Sequence, residues 1–307
     1  MLHLNDLYYF VRAVEHGGFA PAGRKLNLPK STISKRVAAL ETRLGTRLIQ
    51  RTSRSFSLTD AGRAYFEHAR AALIEAESAE IAVRSRTSAP SGMVRMTSSM
   101  PTAQFYLAEQ LPALAFAYPA LHVVLHASDR MVDIVQEGFD IAVRSHFEPL
   151  PSSGLIQRKV STEPIVLVAA PSYLEHTGMP TTPDDLAQHH AIMSSVSATT
   201  LKLCRVGGGD HVQVSPIPRF SADESLVLLE AAAAGLGFTS LPWSFCHKMV
   251  KDRRLQVILP DWHAGEVTTT LLLPPLRSEL PSVRVVVEFL VEKLGAKNAV
   301  AASLPAR

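Results

Sequence analysis

Lysine and short hydroxyl side chains crowd together near the start of the chain, at Lys30, Ser31, Thr32, Ser34 and Lys35. Lysine ammonium groups bind phosphate oxygens and base acceptors, and hydroxyl groups bind either base edges or the backbone. Short side chains also allow a helix to enter the major groove deeply. These residue types predict contact with double-stranded DNA, although a small helical bundle with a polar face would also accommodate them.

A second basic pair follows at Arg51 and Arg54, in a segment of small polar residues from Gly45 to Leu58. The segment predicts two short strands around a basic turn, an arrangement called a wing. Arginines on such a turn lie along phosphates or enter the minor groove. We therefore expect both arginines to contact DNA.

Charge is distributed unevenly along the 307 residues. Residues 1–58 contain ten Lys/Arg and three Asp/Glu, a net charge of +7, whereas the whole chain carries only +3. The rest of the chain is therefore mildly acidic. A basic block on an acidic body is typical of nucleic-acid binding, although a solvated basic surface would give the same count.

The spacing of apolar residues predicts three short helices that would position these groups. The first helix has an apolar face made of Leu4, Leu7, Phe10, Val11 and Val14. The second begins with Pro21 as its first helical residue, where the missing amide hydrogen costs little, and ends at Leu26. Asn27-Leu28-Pro29 then forms a tight turn.

The third helix is predicted from about Lys30 to Leu44, with Arg43 on its outward face. Its inward face is expected to carry Ile33, Val37, Leu40 and Leu44. Two helices joined by a short turn, the second bearing bases and hydroxyls, form the helix-turn-helix layout.

Thr59 is expected to cap a further helix, which begins with Asp60 and continues to about Arg86. The Ala-rich stripe of this helix suits close packing against a partner helix, or against its own domain. A turn-rich hinge follows at residues 87–92.

Residues 4–66 resemble the DNA-binding domain of the LysR-type transcriptional regulators. The matching stretches are Leu4-Asn5-Asp6-Leu7, Phe10, Leu26, Ser31-Thr32-Ile33-Ser34, Leu40-Glu41-Thr42-Arg43-Leu44-Gly45, Leu48, Arg51-Thr52 and Leu58-Thr59-Asp60-Ala61-Gly62. Three departures stand out. Ala20 occupies the place of a Ser cap, Gly23 replaces Ala at a cost of about 1 kcal/mol of helix propensity, and Pro29-Lys30 replaces a Ser/Thr-Gln pair.

The resemblance implies an α/β chain with an N-terminal winged helix-turn-helix, a long linker helix and a two-lobed effector domain like the periplasmic binding proteins. It places the DNA-binding domain at residues 1–58, the linker and hinge at 59–92 and the effector domain at 93–307. Within the latter, lobe I comprises about 93–161 and 268–295, and lobe II about 162–267. It also implies a homodimer or homotetramer on interrupted palindromic promoter sites, with RNA polymerase as a candidate partner.

Residues 93–295 alternate short apolar strands with helices, which predicts the α/β body independently. Strands are expected at Val94–Ser98, His122–His126, Asp140–Arg144, Ile165–Ala169, Gly237–Ser240, Leu255–Leu259 and Thr268–Leu273. Helices are expected at Thr102–Tyr118, Met131–Gln136, Leu226–Ala234 and Val283–Leu294.

Ligands of such folds bind at the carboxyl ends of strands, where the two lobes meet. The candidate effector residues therefore follow strands: Ser98, Ser99, Thr102, Ser128, Asp129, Arg144, Ser145, His146, Ser194, Ser195 and Asp223. Ser99 to Thr102 would form a helix N-terminus, which suits an anion, so with Arg144 an organic acid is one candidate effector. Each residue is also explained as a cap or a loop hydroxyl that satisfies backbone groups, and Arg144 equally by an ion pair with an acid within the lobe.

Other chemistry finds little support. The histidines are scattered, and the glycine run at 207–209 fits a hairpin turn better than a nucleotide-binding loop, so we expect no metal, no cofactor and no enzyme. Cys204 and Cys246 leave a redox-sensing regulator of the same architecture as the alternative, although two ordinary cysteines would explain them too. We find no signal peptide or membrane span and expect a cytoplasmic protein.

Overall fold

The N-terminal part of the chain forms a helical head with a wing. The computed structural model describes residues 3–51, 56–84 and 90–301. The first elements are α1 (Leu4–Glu15), α2 (Phe19–Leu26), α3 (Lys30–Leu44), β1 (Ile49–Arg51), β2 (Phe56–Leu58) and α4 (Asp60–Arg84). β1 and β2 pair antiparallel, which confirms the two predicted wing strands. The turn between them, with Arg54, lies outside the described residues.

An apolar core holds the head together and fixes α4 to it. Its fully buried side chains come from α1, α3 and the approach to β1, and they include Phe10, Ile33, Val37, Leu40, Leu48 and Ile49. Tyr65 and Phe66 of α4 pack edge-on against the Phe10 ring, with ring centroids 5.5 and 6.4 Å away. The linker helix therefore begins as part of the core of the head.

Two details of the head differ from the prediction. α2 begins at Phe19, with Gly18 at its N-cap in a backbone conformation (φ 151°) that favours glycine. Pro21 is thus the third helical residue, where no amide hydrogen is needed either, and Ala20 is not the cap. Leu44, expected inside, is 41% exposed because it is the last residue of α3, just before Gly45 turns the chain away.

The rest of the described chain forms the α/β body. Its elements are β3 (Gly92–Ser98), a π-helical turn (Thr102–Leu107), α5 (Leu111–Ala117), β4 (Leu121–Ala127), β5 (Ile141–His146), β6 (Ile156–Ala169), α6 (Pro171–Thr177), a 3-10 helix (Pro183–Gln188), β7 (His190–Met193), β8 (Leu201–Arg205), β9 (His211–Val214), β10 (Ile217–Ser221), α7 (Ser225–Ala233), β11 (Phe238–Pro242), α8 (Trp243–Lys251), β12 (Gln256–Ile258), β13 (Trp262–His263), β14 (Glu266–Leu273), α9 (Pro275–Ser278) and α10 (Pro281–Ala301).

One mixed sheet runs through the body in the order β10-β7-β11-β6-β14-β5-β3-β4, and β12 also pairs with β6. The long strand β6 pairs with β14 as far as Pro164 and with β11 from Ile165 onwards. This change of partner is where the chain passes from one half of the sheet to the other. β8 and β9 form the hairpin that was predicted around the glycine run.

Two predicted helices of the body are wrong. Thr102–Tyr118 is not one helix but a π-helical turn and α5, because Pro112 has no amide hydrogen to continue the first helix. Phe116, expected on its apolar face, is 87% exposed. Met131–Gln136 forms turns instead of a helix: the Asp133 carboxylate accepts from the amides of Val135 and Gln136, which closes a local turn.

Candidate nucleic-acid interface and effector site

The third helix has the predicted bounds and exposes its first residues. Lys30, Ser31 and Lys35 are exposed, whereas Thr32 and Ser34 are half-buried. The turn before the helix is set by Asn27, which adopts the left-handed conformation (φ 53°) at the end of α2. Two ammonium groups and a hydroxyl therefore face solvent at the start of α3, the end that a recognition helix places against base edges.

Gly23 has a structural role that the sequence did not reveal. A side-chain carbon at this position would lie 2.7 Å from the Leu28 carbonyl oxygen. The turn between α2 and α3 therefore lies directly against the backbone of α2. Gly23 was expected only to lower helix propensity, but its missing side chain allows the Leu28 backbone to lie against α2.

A buried carboxylate beneath α3 was also missed. Asp6 of α1 is 4% exposed and forms ion pairs with Arg36 (3.5 Å) and Arg43 (3.1 Å). Arg43 was expected to face outward, but its guanidinium reaches back to Asp6. The pairs tie α1 to α3, so these two arginines stabilise the head. The sequence does contain a signal for this buried carboxylate, because Asp6 is the only acidic residue on the apolar face of α1.

The wing is joined to both α3 and α4 by specific polar contacts. The Glu41 carboxylate accepts from the amides of Leu48 (2.9 Å) and Ile49 (3.0 Å), where β1 begins. Thr59 accepts from the Gly62 amide at 2.9 Å, which confirms the predicted cap, and its hydroxyl donates to the Arg47 carbonyl at 2.7 Å. Arg51 lies at the end of β1, so its backbone is fixed by the same contacts.

Several of the predicted effector residues of lobe I meet where β3 and β4 end. The Ser128 amide donates to the Ser98 carbonyl at 2.8 Å, and the Met100 amide donates to the Asp129 carboxylate at 3.0 Å. The loops after β3 and β4 are therefore in contact, as the rule for strand ends predicts. Ser98 itself is the last residue of β3 and is fully buried.

Four hydroxyl groups continue from these strand ends into the protein, and we call them the hydroxyl chain: Ser99, Thr102, Ser145 and Thr269. Their oxygens are 2.7 Å (Ser99 to Thr102), 3.2 Å (Thr102 to Ser145) and 3.1 Å (Ser145 to Thr269) apart. Ser99 and Ser145 are half-buried, whereas Thr102 and Thr269 are buried. Three of the four were predicted; Thr269 was not, because it is 124 residues from its partner Ser145.

The structure removes the argument for a carboxylate at the start of the π-helical turn. The Met100 amide already has the Asp129 carboxylate, and the Thr102 amide has the Ser99 hydroxyl at 3.3 Å. Pro101 has no amide hydrogen, and the Ala103 amide donates to the Ser99 carbonyl. Because an anionic side chain already occupies this helix end, a second anion there would be repelled.

Arg144 and His146 are the last residues of β5 on the opposite face from Ser145, not in a loop after the strand. Burial lowers the pKa of Arg144, and the charge of Asp129 opposes that shift. The Arg144 guanidinium donates to the Thr97 hydroxyl at 3.4 Å. His146 has partners on both ring nitrogens, the Glu148 carbonyl (2.7 Å) and the Thr270 hydroxyl (2.9 Å), as expected of a structural histidine.

The three candidates from lobe II lie together after β7 and β10. These strands are parallel neighbours, and the Ala222 amide donates to the Met193 carbonyl at 3.1 Å where they end. Ser194, Ser195 and Asp223 are all exposed. In the described part of the chain, no hydrogen bond joins these three residues to the candidates from lobe I.

A buried polar cluster lies where β6 changes partner, and sequence reasoning missed it. The Glu163 carboxylate, 5% exposed, accepts from the Tyr106 hydroxyl, the Ser244 hydroxyl (2.7 Å) and the Ser244 amide (2.8 Å). Burial, followed by the charge of Glu163, raises the pKa of Tyr106. The signal available was a glutamate directly before the apolar run of β6.

The two cysteines are free and lie in different environments. Cys246 is buried in α8, where burial raises the pKa of its thiol and keeps it protonated. Cys204 is half-buried in β8, and its sulfur is 3.3 Å from His211. A protonated buried thiol is a poor nucleophile, so this geometry argues against a switch that depends on Cys246.

The described residues contain neither a cluster of metal ligands nor a helix that could span a membrane. No group of three or more His, Cys, Asp or Glu side chains is arranged to bind a metal ion within residues 3–51, 56–84 and 90–301. Within the same ranges, the helices are too short or too polar to span a bilayer.

Two family models together cover nearly the entire chain. Residues 4–63 match the bacterial regulatory helix-turn-helix protein of the lysR family, and residues 87–295 match the LysR substrate binding domain.

Curated relatives match over most of their length. An HTH-type transcriptional regulator of Xanthomonas campestris pv. campestris (strain 8004) is 32% identical over 95% of this chain and 85% of its own. The HTH-type transcriptional repressor PA14_22550 of Pseudomonas aeruginosa is 30% identical over 94% and 91%. The HTH-type transcriptional activator AaeR of Escherichia coli K12 is 30% identical over 86% and 85%.

Solved structures of similar proteins point to the same family as the two family models. The full-length virulence activator AphB of Vibrio cholerae, a member of the LTTR family, is 27% identical with a TM-score of 0.59, covering 95% of this chain and 99% of that one. CrgA, a LysR-type transcriptional regulator of Neisseria meningitidis, is 26% identical with a TM-score of 0.59 over 96% and 100%. This chain belongs to the LysR family of transcriptional regulators, with a DNA-binding helix-turn-helix and an effector-binding domain.

Proposed function

We propose that the protein binds interrupted palindromic promoter DNA as a homodimer or homotetramer and changes transcription when a small molecule binds between lobes I and II. The lobes are those bounded at about residues 162 and 268. It would act in the cytoplasm, with RNA polymerase as the partner at the promoter. The observation that carries the proposal is the exposed start of α3, with a wing fixed beside it by Glu41 and Thr59.

The proposed DNA contacts fall into two groups. Lys30, Ser31, Thr32, Ser34 and Lys35 would enter the major groove from the start of α3. Arg51 and Arg54 would contact the backbone or minor groove from the wing. Ion pairing supports this division, because Asp6 holds Arg36 and Arg43 within the head and leaves Lys30 and Lys35 exposed at the helix start.

Dimerisation is proposed through α4. Two heads that share a two-fold axis read two half-sites about one helical turn of DNA apart, or a multiple of that spacing. α4 is anchored to the core of the head through Tyr65 and Phe66, so the orientation of this helix sets the orientation of the head. Sedimentation of the purified protein would give the oligomeric state.

The first experiment is a footprint of the full-length protein on DNA upstream of its own gene and of the divergent neighbour, at low salt. A protected interrupted palindrome is expected. Titration of that DNA with the Lys30→Ala and Arg51→Ala variants at several salt concentrations then tests the contacts. Each lost phosphate contact reduces the salt slope by about 0.9, or roughly twice that in a dimer.

Lys202→Ala is the matched control, because it removes the same charge from an exposed position in β8, outside the head. Its affinity and salt slope should equal those of the wild type. If Lys30→Ala and Arg51→Ala also behave as the wild type while the DNA is protected, the contact assignment is wrong. If nothing is protected at low salt, the proposed DNA site fails.

The proposed effector site consists of the eleven candidates at the strand ends, and the contacts around Ser98, Ser99 and Thr102 favour lobe I as its better-defined side. Ser99→Ala should reduce induction of a reporter fused to the protected promoter while DNA affinity remains unchanged. A reporter that responds fully in this variant would contradict the placement of the effector.

A further inference from the structure

The linker helix α4 contacts lobe I at Gly138, near the end of the β4–β5 loop (residues 128–140). Gly138 is buried and adopts a left-handed backbone conformation (φ 71°), and the side chain of Ile74 lies directly against it. A side-chain carbon on Gly138 would clash with the end of the Ile74 side chain. Glycine is therefore required here both for the backbone conformation and for the close approach of α4.

Ile74 belongs to the same helix that forms part of the core of the head. Tyr65 packs in that core, and Arg70 lies 3.8 Å from Glu15 of α1. Ile74 is nine residues after Tyr65, roughly 13 Å along the helix axis. Because α4 is continuous over this length, a sideways shift of Ile74 tilts the helix and turns the head with it.

The other end of the β4–β5 loop belongs to the proposed effector site. The Asp129 carboxylate accepts from the Met100 amide at 3.0 Å, and the Ser128 amide donates to the Ser98 carbonyl at 2.8 Å. These two bonds hold the start of the loop against the end of β3 and the residues that follow it. An effector group that replaces either Asp129 or the Met100 amide in their bond displaces the start of the loop.

An ion pair connects the two ends of the loop. Arg130, next to Asp129, lies 2.5 Å from the carboxylate of Glu137, which is next to Gly138. The amides of Glu137 and Gly138 also donate to carbonyls within the loop, at 2.9 and 3.2 Å. These contacts make the loop compact, so a displacement at Asp129 also reaches Gly138.

We propose that Gly138 is the contact through which lobe I controls the linker helix. An effector that displaces Asp129 shifts the β4–β5 loop, and Gly138 then shifts Ile74 and with it α4 and the head. This inference rests on the proposed effector site and gives it a route to the DNA. Coupling between two binding sites is reciprocal, so DNA bound to the head must also alter the bond between Asp129 and the Met100 amide.

This reciprocity gives a test that needs no effector. Amide hydrogen exchange of the full-length protein is measured at single-residue resolution, with and without a saturating amount of the promoter fragment protected in the footprint. DNA should change the exchange rates of the Met100 and Gly138 amides at least about threefold. Ile74→Ala should abolish both changes. Ile217→Ala, which removes the same side chain from an exposed position in β10, should keep them.

Arg130→Ala separates the two halves of the loop. The ion pair with Glu137 is exposed on the arginine side, so its loss costs little stability. DNA should still change the exchange rate at Gly138 in this variant but no longer at Met100. Arg254→Ala is the matched control, because it breaks an exposed ion pair of lobe II, 2.8 Å long, and should leave both changes intact.

Gly138→Ala should imitate the displacement without any ligand. Its added carbon pushes Ile74 away, so the affinity for the promoter fragment should change at least about threefold, and Ile74→Ala in the same chain should restore it. Gly178→Ala has a similar backbone strain (φ 87°) in lobe II with open space around the new carbon, so its affinity should equal that of the wild type. Equal affinities of the two alanine variants overturn the proposal.

Failure of this contact is distinguishable from failure of the proposed function. If DNA is bound but the exchange rates of Met100 and Gly138 stay the same, or change equally in Ile74→Ala, the contact is wrong and the DNA-binding function stands. A change at Met100 that survives in Arg130→Ala overturns the role of the ion pair. If no DNA is protected, the function fails, and the free protein decides the contact. There, Ile74→Ala should raise the exchange rate of the Gly138 amide at least about threefold, and an unchanged rate overturns the proposal.

Discussion

Replacing Glu41 by alanine tests whether the wing depends on a single carboxylate. This side chain accepts two amide hydrogen bonds, from Leu48 at 2.9 Å and from Ile49 at 3.0 Å, through the same oxygen. Both donor residues are fully buried. In the Glu41→Ala variant, two buried amides would therefore lose their acceptor where the chain enters the wing.

The expected loss of stability follows from the kind of bond. A hydrogen bond to a charged group contributes about 1.5–3 kcal/mol, and two bonds that share one oxygen contribute less than twice that amount. We expect the free energy of unfolding of the head to fall by about 2–4 kcal/mol. That is a large part of the roughly 5–15 kcal/mol that stabilises a small domain.

Glu41→Gln is the matched control, because its carbonyl oxygen can stay in the place of Oε1 and accept from both amides. It should lose only the charge contribution, about 1 kcal/mol. Urea unfolding of the full-length variants, followed by amide hydrogen exchange in α1, α2 and α3 of the head, gives the two values. Operator titration of Glu41→Ala at 25 °C should also show a shallower salt slope, since the backbone of β1, which carries Arg51, would lose two of its anchoring hydrogen bonds.

Equal destabilisation by alanine and glutamine would refute the reasoning, because it would assign the effect to charge and not to the two amide bonds. An alanine variant with wild-type stability would show that the wing is held by its apolar residues alone. A destabilised variant with an unchanged salt slope would contradict the link between the wing and DNA binding.

Three further predictions concern packing, pH and thiol chemistry. Gly62→Ala should destabilise the head by about 1–3 kcal/mol in urea unfolding, since the added carbon would clash with the Leu48 carbonyl oxygen. Wild-type stability of this variant would contradict the contact. Amide hydrogen bonds lower the pKa of Asp185 to about 2. The ionised carboxylate therefore stabilises the fold fully above pH 4, and this stabilisation disappears as the pH falls towards 2. The difference in unfolding free energy between the wild type and Asp185→Asn should shrink over that range, and a constant difference would disprove the stabilising role of the carboxylate. Maleimide should label Cys204 in the native protein and Cys246 only after unfolding, and mass mapping that finds the reverse would contradict the burial of Cys246.

The sequence predicted the DNA-binding head well because its elements are local. α3 was predicted with the observed bounds, since Pro29 precedes it and Gly45 ends it in the left-handed conformation. The wing strands and the Thr59 cap are also short-range features. Two predictions at helix ends were wrong: α2 does not begin at Pro21, and Leu44 is not buried. An apolar pattern carries little information at a helix end.

The body was harder to predict because its decisive contacts join distant parts of the chain. Pairing of β5 with β14 brings Ser145 beside Thr269, and pairing of β14 with β6 brings Glu163 onto the same face. No pattern within a strand encodes that register. The helix at Thr102–Tyr118 failed for a local reason, since the proline within it was visible in the sequence and was outweighed by the apolar spacing.

The expectation of an acidic effector rests on a local rule whose premise is not met at this helix end. A helix N-terminus attracts anions only while its amides lack acceptors. Here Asp129, 29 residues from Met100 in the sequence, already supplies a carboxylate to the Met100 amide at that end. Asp129 and the Ser99 oxygens therefore already occupy the amides that a carboxylate effector would need. The electrostatic character of this helix end is set by a contact between two loops, which a rule about a single helix end does not take into account.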